Sequence, residues 1–415
     1  MPIRSRRRFV KAAGASGLAF AAGCTAIPGS GGGGDDTITI GATVSRSGSF
    51  SGAGEDVETA YELGRDLINE NGGILDREVE LIIKDDESSP DGVREGLQEI
   101  ASNNDLDLIW GTFGSLLVAA AASFAENQEI PMLSANFAYM EPHTKNNYDW
   151  TFAPFPKSRD MGNGALKLAN MTPEGERPKR VGIWQTNTGW GAELGRVWSE
   201  KLGDNGYEVV LNERFQIGTQ DFSTLISKTK SADVEYLLGN PSPAGGITAA
   251  KQMQQASYVP KLSAIERAAT ITTWLKATGK AGLFLTSTPG WVPGLTGNGN
   301  QELLDAFRSQ EGVASDAYPA PTVGGSYNVT QATKQAIEAA GSTEADAVRE
   351  ALLNTEFETV IGDFRFDENG MPVEGDLAPP MGQWQDGMLR LVLPADVDSE
   401  VSTDLQYPAP PYGDR

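Results

Sequence analysis

Ser115 occupies a position at which a polar side chain could bind a small anion. It follows Gly114 directly after a predicted strand and precedes a predicted helix, residues 116–127. The free backbone N–H groups of a helix N-terminus, together with the Ser115 hydroxyl, would bind a carboxylate. On spacing alone, the simpler alternative is favoured, in which Ser115 merely caps its helix. Asn136 and Phe137 follow the next predicted strand and should lie at the same edge of the sheet.

Three further candidates follow predicted strands in the second half of the chain. Trp190 lies between glycines in QTNTGWG, Asn240 begins the segment NPSPAGG, and Glu266 ends the strand of KLSAIE. A carboxylate that faces a cleft would pair with an ammonium group. On pattern alone, we expect Glu266 to be a solvated acid or a partner of Arg267. On pattern alone, we expect Trp190 to be a packing residue and not a ligand contact. A tryptophan in a loop between glycines, however, has a packing role less often than other tryptophans do.

The chain offers little for catalysis or metal binding. Its only histidine is His143 and its only cysteine is Cys24, which excludes an internal disulfide and a zinc site with several histidines. A serine or cysteine triad would need His143 as its base, but YMEPHTKNN is polar and turn-rich, so we expect a solvated loop histidine. The glycines of SRSGSFSGAGED lack the dinucleotide-binding order G-x-G-x-x-G. We therefore expect no enzyme, no catalytic residue, no cofactor and no metal.

The charge of the chain limits the partners that it could bind. In 415 residues there are 33 Lys and Arg against 56 Asp and Glu, a net charge of −23. Nucleic acid is excluded as an expected partner, because phosphate binding needs clustered cations. Such acidity keeps a protein soluble where salt screens charge repulsion, which is consistent with a halophilic source. The length suits two domains of ordinary size.

Residues 1–23 differ from the rest of the chain, since they are basic and contain no acid. A positive segment, a short apolar stretch and small residues before a processing site are typical of a secretory signal. SRRRFVK resembles the twin-arginine export motif, and AAGC resembles a lipobox, in which Cys24 becomes the lipidated first residue of the mature protein. The alternative is a buried and inert Cys24. Residues 24–36 are glycine-rich and would form a flexible tether.

Strand-like and helix-like stretches alternate along the rest of the chain. TITIGATV at residues 37–44 is typical of a strand, apolar residues between 57 and 68 recur at helical spacing, and the glycines of 71–73 end that helix. The alternation restarts after residue 157. It predicts an α/β fold of two Rossmann-like lobes with parallel sheets flanked by helices. Ligands bind beyond the carboxyl ends of such strands, so two facing lobes would form a cleft there.

INENGGILDREVELIIKDDESSPD, residues 68–91, resembles the solute-binding proteins of branched-chain amino acid ABC importers. SGSFSGAG, TQDFSTLISKTKSADVEYLL and TVIGDFRFDENG resemble further parts of that family, in the same order, and the resemblance covers residues 37–395. It implies the type I periplasmic-binding fold, in which two lobes joined by a three-crossing hinge close on a small ligand. We accordingly divide the chain into a first lobe of residues 37–157 and 289–377, a second lobe of 158–288 and 378–395, and a proline-rich tail, 396–415.

The resemblance also implies roles for positions of this chain. Ser115 stands where the family's serine binds the ligand α-carboxylate, and Glu266 stands where an acid pairs with the α-ammonium. Asn136 stands where a backbone carbonyl meets the ammonium, Ala138 replaces a family threonine, and Trp190 matches an aromatic residue that closes over the ligand. Other lining positions implied for the cleft are Tyr327, Asn240 and Trp291.

These features predict an extracytoplasmic solute-binding protein, lipid-anchored to the outer face of the cytoplasmic membrane. It would capture a small ligand by lobe closure and deliver it to ABC permease subunits. The expected ligand is a branched-chain or other amino acid, with urea, short amides and aromatic carboxylates as alternatives. A sensory module that presents its ligand to a membrane receptor fits the same residues, and a secreted hydrolase lacks a convincing base. We expect a monomer.

Overall fold

Two β-sheets organise the part of the chain that the computed structural model describes, residues 37–378, 380–394 and 401–415. The predicted export signal, Cys24 and the tether lie outside these residues. The strands of the first sheet are β1 (Thr37–Val44), β2 (Glu78–Asp85), β3 (Leu108–Trp110), β4 (Met132–Leu133) and β5 (Thr151–Phe152). They lie in the order β2-β1-β3-β4-β5, and every neighbouring pair is parallel.

Each of the first four strands leads into a helix, as a parallel sheet requires. These helices are α1 (Ser51–Glu70), α2 (Pro90–Asn103), α3 (Ser115–Gln128) and α4 (Glu141–Asn146). Their ends follow local sequence rules. Ser89 caps α2 by accepting the Gly92 N–H at 2.9 Å, and α1 stops before Gly72 and Gly73, whose φ angles are +94° and +81°.

The second sheet begins with five parallel strands, β6 (Arg180–Thr186), β7 (Glu208–Phe215), β8 (Tyr236–Gly239), β9 (Leu262–Ile265) and β10 (Thr286–Ser287). The helices around it are α5 (Ser158–Met171), α6 (Gly189–Gly203), α7 (Ser223–Ser231), α8 (Pro243–Gln255) and the short α9 (Trp274–Thr278), with 3₁₀ turns at Ala268–Thr270 and Gly279–Gly282. The last of these strands is shorter than the sequence suggests, because Phe284 adopts a φ of +63° just before it.

The chain then returns to the first lobe before it completes the second sheet. It forms α10 (Asn300–Ser309), α11 (Pro321–Ala340), α12 (Ala345–Asn354) and the hairpin of β11 (Phe357–Thr359) and β12 (Gly362–Phe364). The antiparallel strands β13 (Met381–Gln385) and β14 (Met388–Leu393) follow, giving the order β14-β13-β10-β9-β8-β6-β7. Three crossings therefore join the lobes, after β5, after β10 and after β12. This is the predicted α/β architecture.

The proline-rich C-terminus packs on the second lobe. Val401 is buried, and the Ala409 N–H donates to the Lys261 carbonyl at 3.0 Å. Near the end of the chain, the Tyr412 hydroxyl donates to the Tyr258 carbonyl at 3.2 Å. Residues 401–415 thus form an ordered strap across the lobe, which no local pattern in the sequence indicated.

Close packing of α1 on α11 supplies a stability test. A Cβ atom at Gly64 would overlap the Thr330 side chain, whereas a Cβ at Gly203, the last residue of α6, would meet nothing within 4 Å. We expect Gly64→Ala to lower the free energy of unfolding by about 1–3 kcal/mol through overpacking. The control Gly203→Ala should be neutral or stabilising by up to about 1 kcal/mol. Thermal unfolding followed by circular dichroism measures both, and equal effects would contradict this packing.

Candidate functional site

A cavity lies where the carboxyl ends of the two sheets face each other. The centres of water-sized molecules can occupy about 40 Å³ of it, which is more than one buried water needs. Its walls come from the segments that follow β3, β4, β5, β6, β9 and β10, from α5 and from the start of α11. The lining residues are Phe113, Gly114, Ser115, Asn136, Ala138, Phe155, Met161, Trp190, Glu266, Arg267, Thr270, Thr288, Pro289, Gly290, Pro321 and Thr322.

Several residues singled out from the sequence meet in this cavity although they are far apart in the chain. Those that line it are Ser115, Asn136, Ala138, Trp190 and Glu266. Those that the structure places outside its lining are Phe137, Asn240, Trp291 and Tyr327, all of them buried. The expected position of the cleft, beyond the carboxyl ends of the strands, agrees with this arrangement.

Ser115 presents its hydroxyl to the cavity and does not cap its helix. The N-cap of α3 is Gly114, whose φ of +89° suits glycine, and no side chain caps this end. Ser115 is the first helical residue, and its hydroxyl has no hydrogen-bond partner in the described part of the chain. The capping alternative is therefore wrong. The N–H groups of Leu117 and Val118 donate to the Gly114 carbonyl, whereas those of Ser115 and Leu116 have no partner among the described residues. These two N–H groups can receive an anion.

Asn136 and Ala138 shape the cavity from the loop after β4. Asn136 adopts a left-handed φ of +60°, and its side-chain amide donates to the Ser326 hydroxyl on α11 at 2.9 Å. The Ala138 carbonyl accepts the N–H and hydroxyl of Ser158 at 2.9 and 3.1 Å, which ties this loop to the first crossing. The Ala138 methyl itself brings an apolar surface to the cavity wall.

Glu266 lies at the end of β9 and is only 1% exposed. Its carboxylate accepts the Thr288 N–H at 2.9 Å, the Ser287 hydroxyl at 3.0 Å and the Thr288 hydroxyl. Burial raises the pKa of Glu266, and these hydrogen bonds act in the opposite direction. Glu266 is therefore not a solvated acid, and among the described residues it forms no ion pair with Arg267. The two expectations from the sequence pattern, a solvated acid or a partner of Arg267, are both wrong, because the start of the crossing after β10 covers the carboxylate.

Arg267 is a cavity residue for which the sequence suggested no role beyond pairing with Glu266. Its backbone has a φ of +68°, an unusual conformation for a bulky residue that costs about 1–3 kcal/mol. The guanidinium carbon lies 4.4 Å from the centroid of the Trp190 ring and 5.8 Å from that of Phe50. One guanidinium nitrogen donates to the Asn240 carbonyl at 3.1 Å. Burial lowers the pKa of Arg267 to about 9.

Trp190 starts α6 rather than lying in a loop. The helix spans Gly189–Gly203, and the Thr188 hydroxyl caps it by accepting the Gly191 N–H at 3.1 Å. The ring of Trp190 is nearly buried between the guanidinium of Arg267 and the cavity. Its position still allows it to cover a ligand, and its stacking holds Arg267 in place.

Asn240, Trp291 and Tyr327 support the walls from behind. The Asn240 side chain accepts the Thr186 N–H at 2.8 Å and so joins the ends of β6 and β8. The Trp291 indole donates to Asn300 at 2.7 Å. Tyr327 is buried on α11, where burial raises its pKa. The family resemblance implied a lining position for these residues, but the packing places them behind the cavity wall.

Phe137 also lies behind the cavity, where it packs against a buried histidine. The ring centroids of Phe137 and His143 are 5.1 Å apart, and those of His143 and Tyr148 are 5.3 Å apart. His143 Nδ1 lies 2.8 Å from the Asn369 carbonyl oxygen, and burial lowers the pKa of this histidine. The expectation of a solvated loop histidine is wrong, because the short helix α4 turns the imidazole into the core. The buried amine of Lys157 donates to the Phe137 carbonyl at 2.8 Å.

The two lobes touch each other around the cavity. Asp56 on α1 accepts the Thr272 N–H of the second lobe at 2.9 Å. Glu193 on α6 accepts the N–H groups of Met140 and Glu141, at the start of α4, at 3.0 and 2.9 Å. A carboxylate at a helix N-terminus is a favourable arrangement. Each lobe thus makes polar contacts with the backbone of the other.

A cavity enclosed between two α/β lobes with three crossings defines a two-lobed, solute-binding class of protein. A sequence model of the family described as periplasmic binding protein matches residues 37–379, and the chain belongs to that family. The family is non-enzymatic and acts outside the cytoplasm. The predicted fold class and family resemblance are thereby confirmed. In the described residues, no helix has the length and apolar character needed to cross a membrane.

Curated relatives are similar over most of their length. The chain is 26% identical to Leu/Ile/Val-binding protein homolog 1 of Brucella abortus over 340 residues, which cover 81% of this chain and 87% of the relative. It is 24% identical to the leucine-, isoleucine-, valine-, threonine- and alanine-binding protein of Pseudomonas aeruginosa over 337 residues, with the same coverage of both chains.

Solved structures share the fold at lower identity. A branched-chain amino acid transporter substrate-binding protein from Streptococcus pneumoniae, in complex with isoleucine, aligns with a TM-score of 0.74 at 19% identity, covering 85% of this chain and 97% of the other. A solute-binding protein from R. palustris, in complex with benzoate, gives 0.73 at 17% identity, covering 86% and 95%.

The contact of Asp56 with Thr272 predicts a pH dependence of stability. Burial raises the pKa of Asp56 from 3.8 to about 7, so the folded form holds a proton that the unfolded chain releases near pH 4. The stabilisation from protonated Asp56 is complete below about pH 4 and is lost as the pH rises to 7. Asp56→Asn keeps an acceptor for the Thr272 N–H without the charge. We expect its melting temperature, relative to the native protein, to rise by several degrees between pH 4 and 8.

Thermal unfolding at a series of pH values measures this difference. Asp105→Asn, at an exposed acid of the same lobe, is the matched control and should parallel the native protein. A difference between Asp56→Asn and the native protein that stays constant with pH would contradict the buried, proton-binding state of Asp56.

Proposed function

We propose that this chain is the substrate-binding component of an ABC importer, which captures an amino acid and delivers it to permease subunits in the membrane. One observation carries the proposal: Ser115 at a free helix N-terminus and the buried carboxylate of Glu266 line the same closed cavity. A helix end that can bind an anion and a carboxylate that can bind a cation lie in one cavity, which suits the two charges of a zwitterion. The names of the curated relatives, which state binding of leucine, isoleucine and valine, support the same class of ligand.

In this proposal, the ligand α-carboxylate lies at the start of α3, where it accepts hydrogen bonds from the Ser115 hydroxyl and the first N–H groups. The ligand ammonium donates to Glu266 and to the backbone carbonyl of Asn136. An ammonium beside Glu266 would favour the ionised carboxylate and so offset the effect of burial on its pKa. Trp190 covers the ligand from the second lobe and excludes water, which strengthens these charge interactions.

Lobe closure would couple binding to recognition by the permease. We propose residues 37–157 and 289–377 as one moving lobe, and 158–288 and 378–395 as the other. Ser115 and Glu266 reside on different lobes in this division, so a ligand contacts both only when the lobes are closed and shifts the population toward that form. The contacts of Asp56 with Thr272 and of Glu193 with α4 would form in the same movement.

We further propose that the protein is exported and held at the membrane by lipid on Cys24. The supporting features are the basic residues before a short apolar stretch, the AAGC sequence and the glycine-rich segment that follows. Each buried CH₂ group of an acyl chain contributes about 0.8 kcal/mol, so two chains would anchor the protein without a membrane-spanning helix. The tether would leave the lobes free to close beside the permease.

An aromatic carboxylate is the second candidate ligand, and the apolar part of the cavity favours it. Phe113, Phe155 and Met161 line the cavity, and the R. palustris structure of similar fold holds benzoate. Such a ligand would use the Ser115 end of the cavity but has no ammonium for Glu266. The two candidates therefore differ in their dependence on the Glu266 charge.

Glu266→Gln tests the proposal, because it keeps the shape of the side chain and one acceptor oxygen for the Thr288 N–H but removes the charge. Isothermal titration calorimetry with L-amino acids, short amides and aromatic carboxylates identifies the ligand class of the native protein. We expect the native protein to bind an amino acid, and Glu266→Gln to weaken that binding by about 100-fold or more. Glu200→Gln, at an exposed acid on α6, is the control. Unchanged affinity in Glu266→Gln would remove this residue from the ammonium site.

Cys24→Ser tests the anchor. In a host that exports the protein, we expect the native form in the membrane fraction and Cys24→Ser in the soluble extracytoplasmic fraction. Ser30→Ala, a change in the tether, should remain with the membrane. Mass spectrometry of the N-terminal peptide should detect acyl chains on Cys24, and an unmodified native peptide would contradict the proposal.

A further inference from the structure

Arg267 is a buried cation on the cavity wall for which the described part of the chain supplies no anion. The residue is 9% exposed, and its Nε atom has no hydrogen-bond partner. The only cause that shifts its pKa is burial, without a contribution from a charged neighbour. Buried charges in proteins are ordinarily paired, because leaving a charge alone in a low-dielectric interior is unfavourable. The missing anion is therefore expected from outside the chain.

The neighbours of Arg267 position the guanidinium without neutralising it. Trp190 and Phe50 offer aromatic faces, and the Asn240 carbonyl accepts one N–H. Glu266 is adjacent in the sequence, but its carboxylate is engaged by Ser287 and Thr288. The remaining donors of a planar guanidinium form a fork that matches a carboxylate in shape and charge.

The strained backbone at Arg267 supports a role in binding. Its φ of +68° directs a long side chain from the end of β9 onto the cavity wall. Glycine, which has no Cβ atom, would adopt this conformation more readily. Strain of this kind persists where the surrounding structure holds it and is concentrated at ligand-binding positions.

Resting on the proposed function, which places the α-carboxylate at Ser115 and the ammonium at Glu266, we propose that Arg267 binds a second carboxylate. The ligand class is then amino acids with an acidic side chain. Such a ligand supplies two negative groups and one positive group, which match Arg267, the α3 N-terminus and Glu266 in turn. A ligand with an aliphatic side chain would leave the Arg267 charge enclosed and unpaired when the lobes close.

The rest of the lining suits such a ligand. Phe113, Phe155 and Met161 provide apolar surface for the methylene groups between the charged ends. The hydroxyl groups of Thr270 and Thr322 lie on the same wall as Arg267. However, these two hydroxyls are engaged with the backbone, since Thr270 donates to the Arg267 carbonyl at 2.8 Å and Thr322 to the Thr270 carbonyl at 2.9 Å. Among the described residues, Arg267 is thus the charged group on this wall with donors to spare, beside the unpartnered Nε1 of Trp190.

The test compares acids with their uncharged amides, using the full-length protein. Calorimetry measures the affinity of L-glutamate, L-glutamine, L-aspartate, L-asparagine and L-leucine for the native protein, Arg267→Gln and Arg267→Lys. Arg196→Gln, at an exposed arginine on α6, is the control. We expect the native protein to prefer the acid over its amide by about 10- to 100-fold, and Arg267→Gln to lose that preference. Arg267→Lys should keep a weaker preference for the acid, because it retains the charge without the fork.

The unliganded stability of Arg267→Gln separates recognition from a structural role. Removing an unpaired buried charge should leave the melting temperature unchanged or raise it. The inference is overturned, and the proposed function stands, if the native protein binds L-leucine or the amides at least as tightly as the acids. It is also overturned if Arg267→Gln keeps the acid preference. If the native protein binds none of the amino acids, the inference falls together with the amino acid ligand of the proposed function.

Discussion

The structure depends on one geometric constraint, that the carboxyl ends of two parallel sheets face each other. Every strand of such a sheet delivers its following loop to the same edge. Two facing edges therefore bring together the loops after β3 and β4 and those after β6, β9 and β10. Ser115 and Glu266, which are distant in sequence, meet at one cavity for this reason alone. Three crossings of the chain join the two lobes.

The chemistry of the cavity follows from its enclosure. Glu266 and Arg267 are consecutive residues with opposite charges, yet they do not neutralise each other. Glu266 turns toward the donors of Ser287 and Thr288, and Arg267 turns toward the rings of Trp190 and Phe50. The charges of Glu266 and Arg267 are thus held apart from each other, and both face the same cavity. Because burial strengthens electrostatic interactions, a small ligand that meets both charges gains more than it would at an exposed surface.

Acidic side chains outside the cavity also join the two lobes. Asp56 and Glu193 belong to opposite lobes, and each accepts backbone N–H groups from the other lobe. These hydrogen bonds are directional, because each acceptor oxygen must lie in line with a backbone N–H group of the other lobe. They therefore fix the position of one lobe against the other. They need no charged partner, which suits a chain whose acidic residues far outnumber its basic ones.

Local sequence determined the elements and much of the cavity rim. The strand at Thr37–Val44 has the bounds that its pattern predicts. The stop after α1 follows from its glycines, and Ser115 at the start of α3 follows from the strand and helix that flank it. These features depend on neighbours within a few residues, so periodicity and turn residues suffice to identify them.

Tertiary packing decided which of the candidate side chains face the cavity and which charges are paired. Asn240, Trp291 and Tyr327 have types suited to a ligand, but their partners place them behind the walls. His143 lies in a polar stretch and is nevertheless buried. The separation of Arg267 from Glu266 depends on donors about twenty residues further along the chain, and the contact of Asp56 joins residues about two hundred apart. Burial and pairing are properties of such distant contacts, and no local pattern contains them.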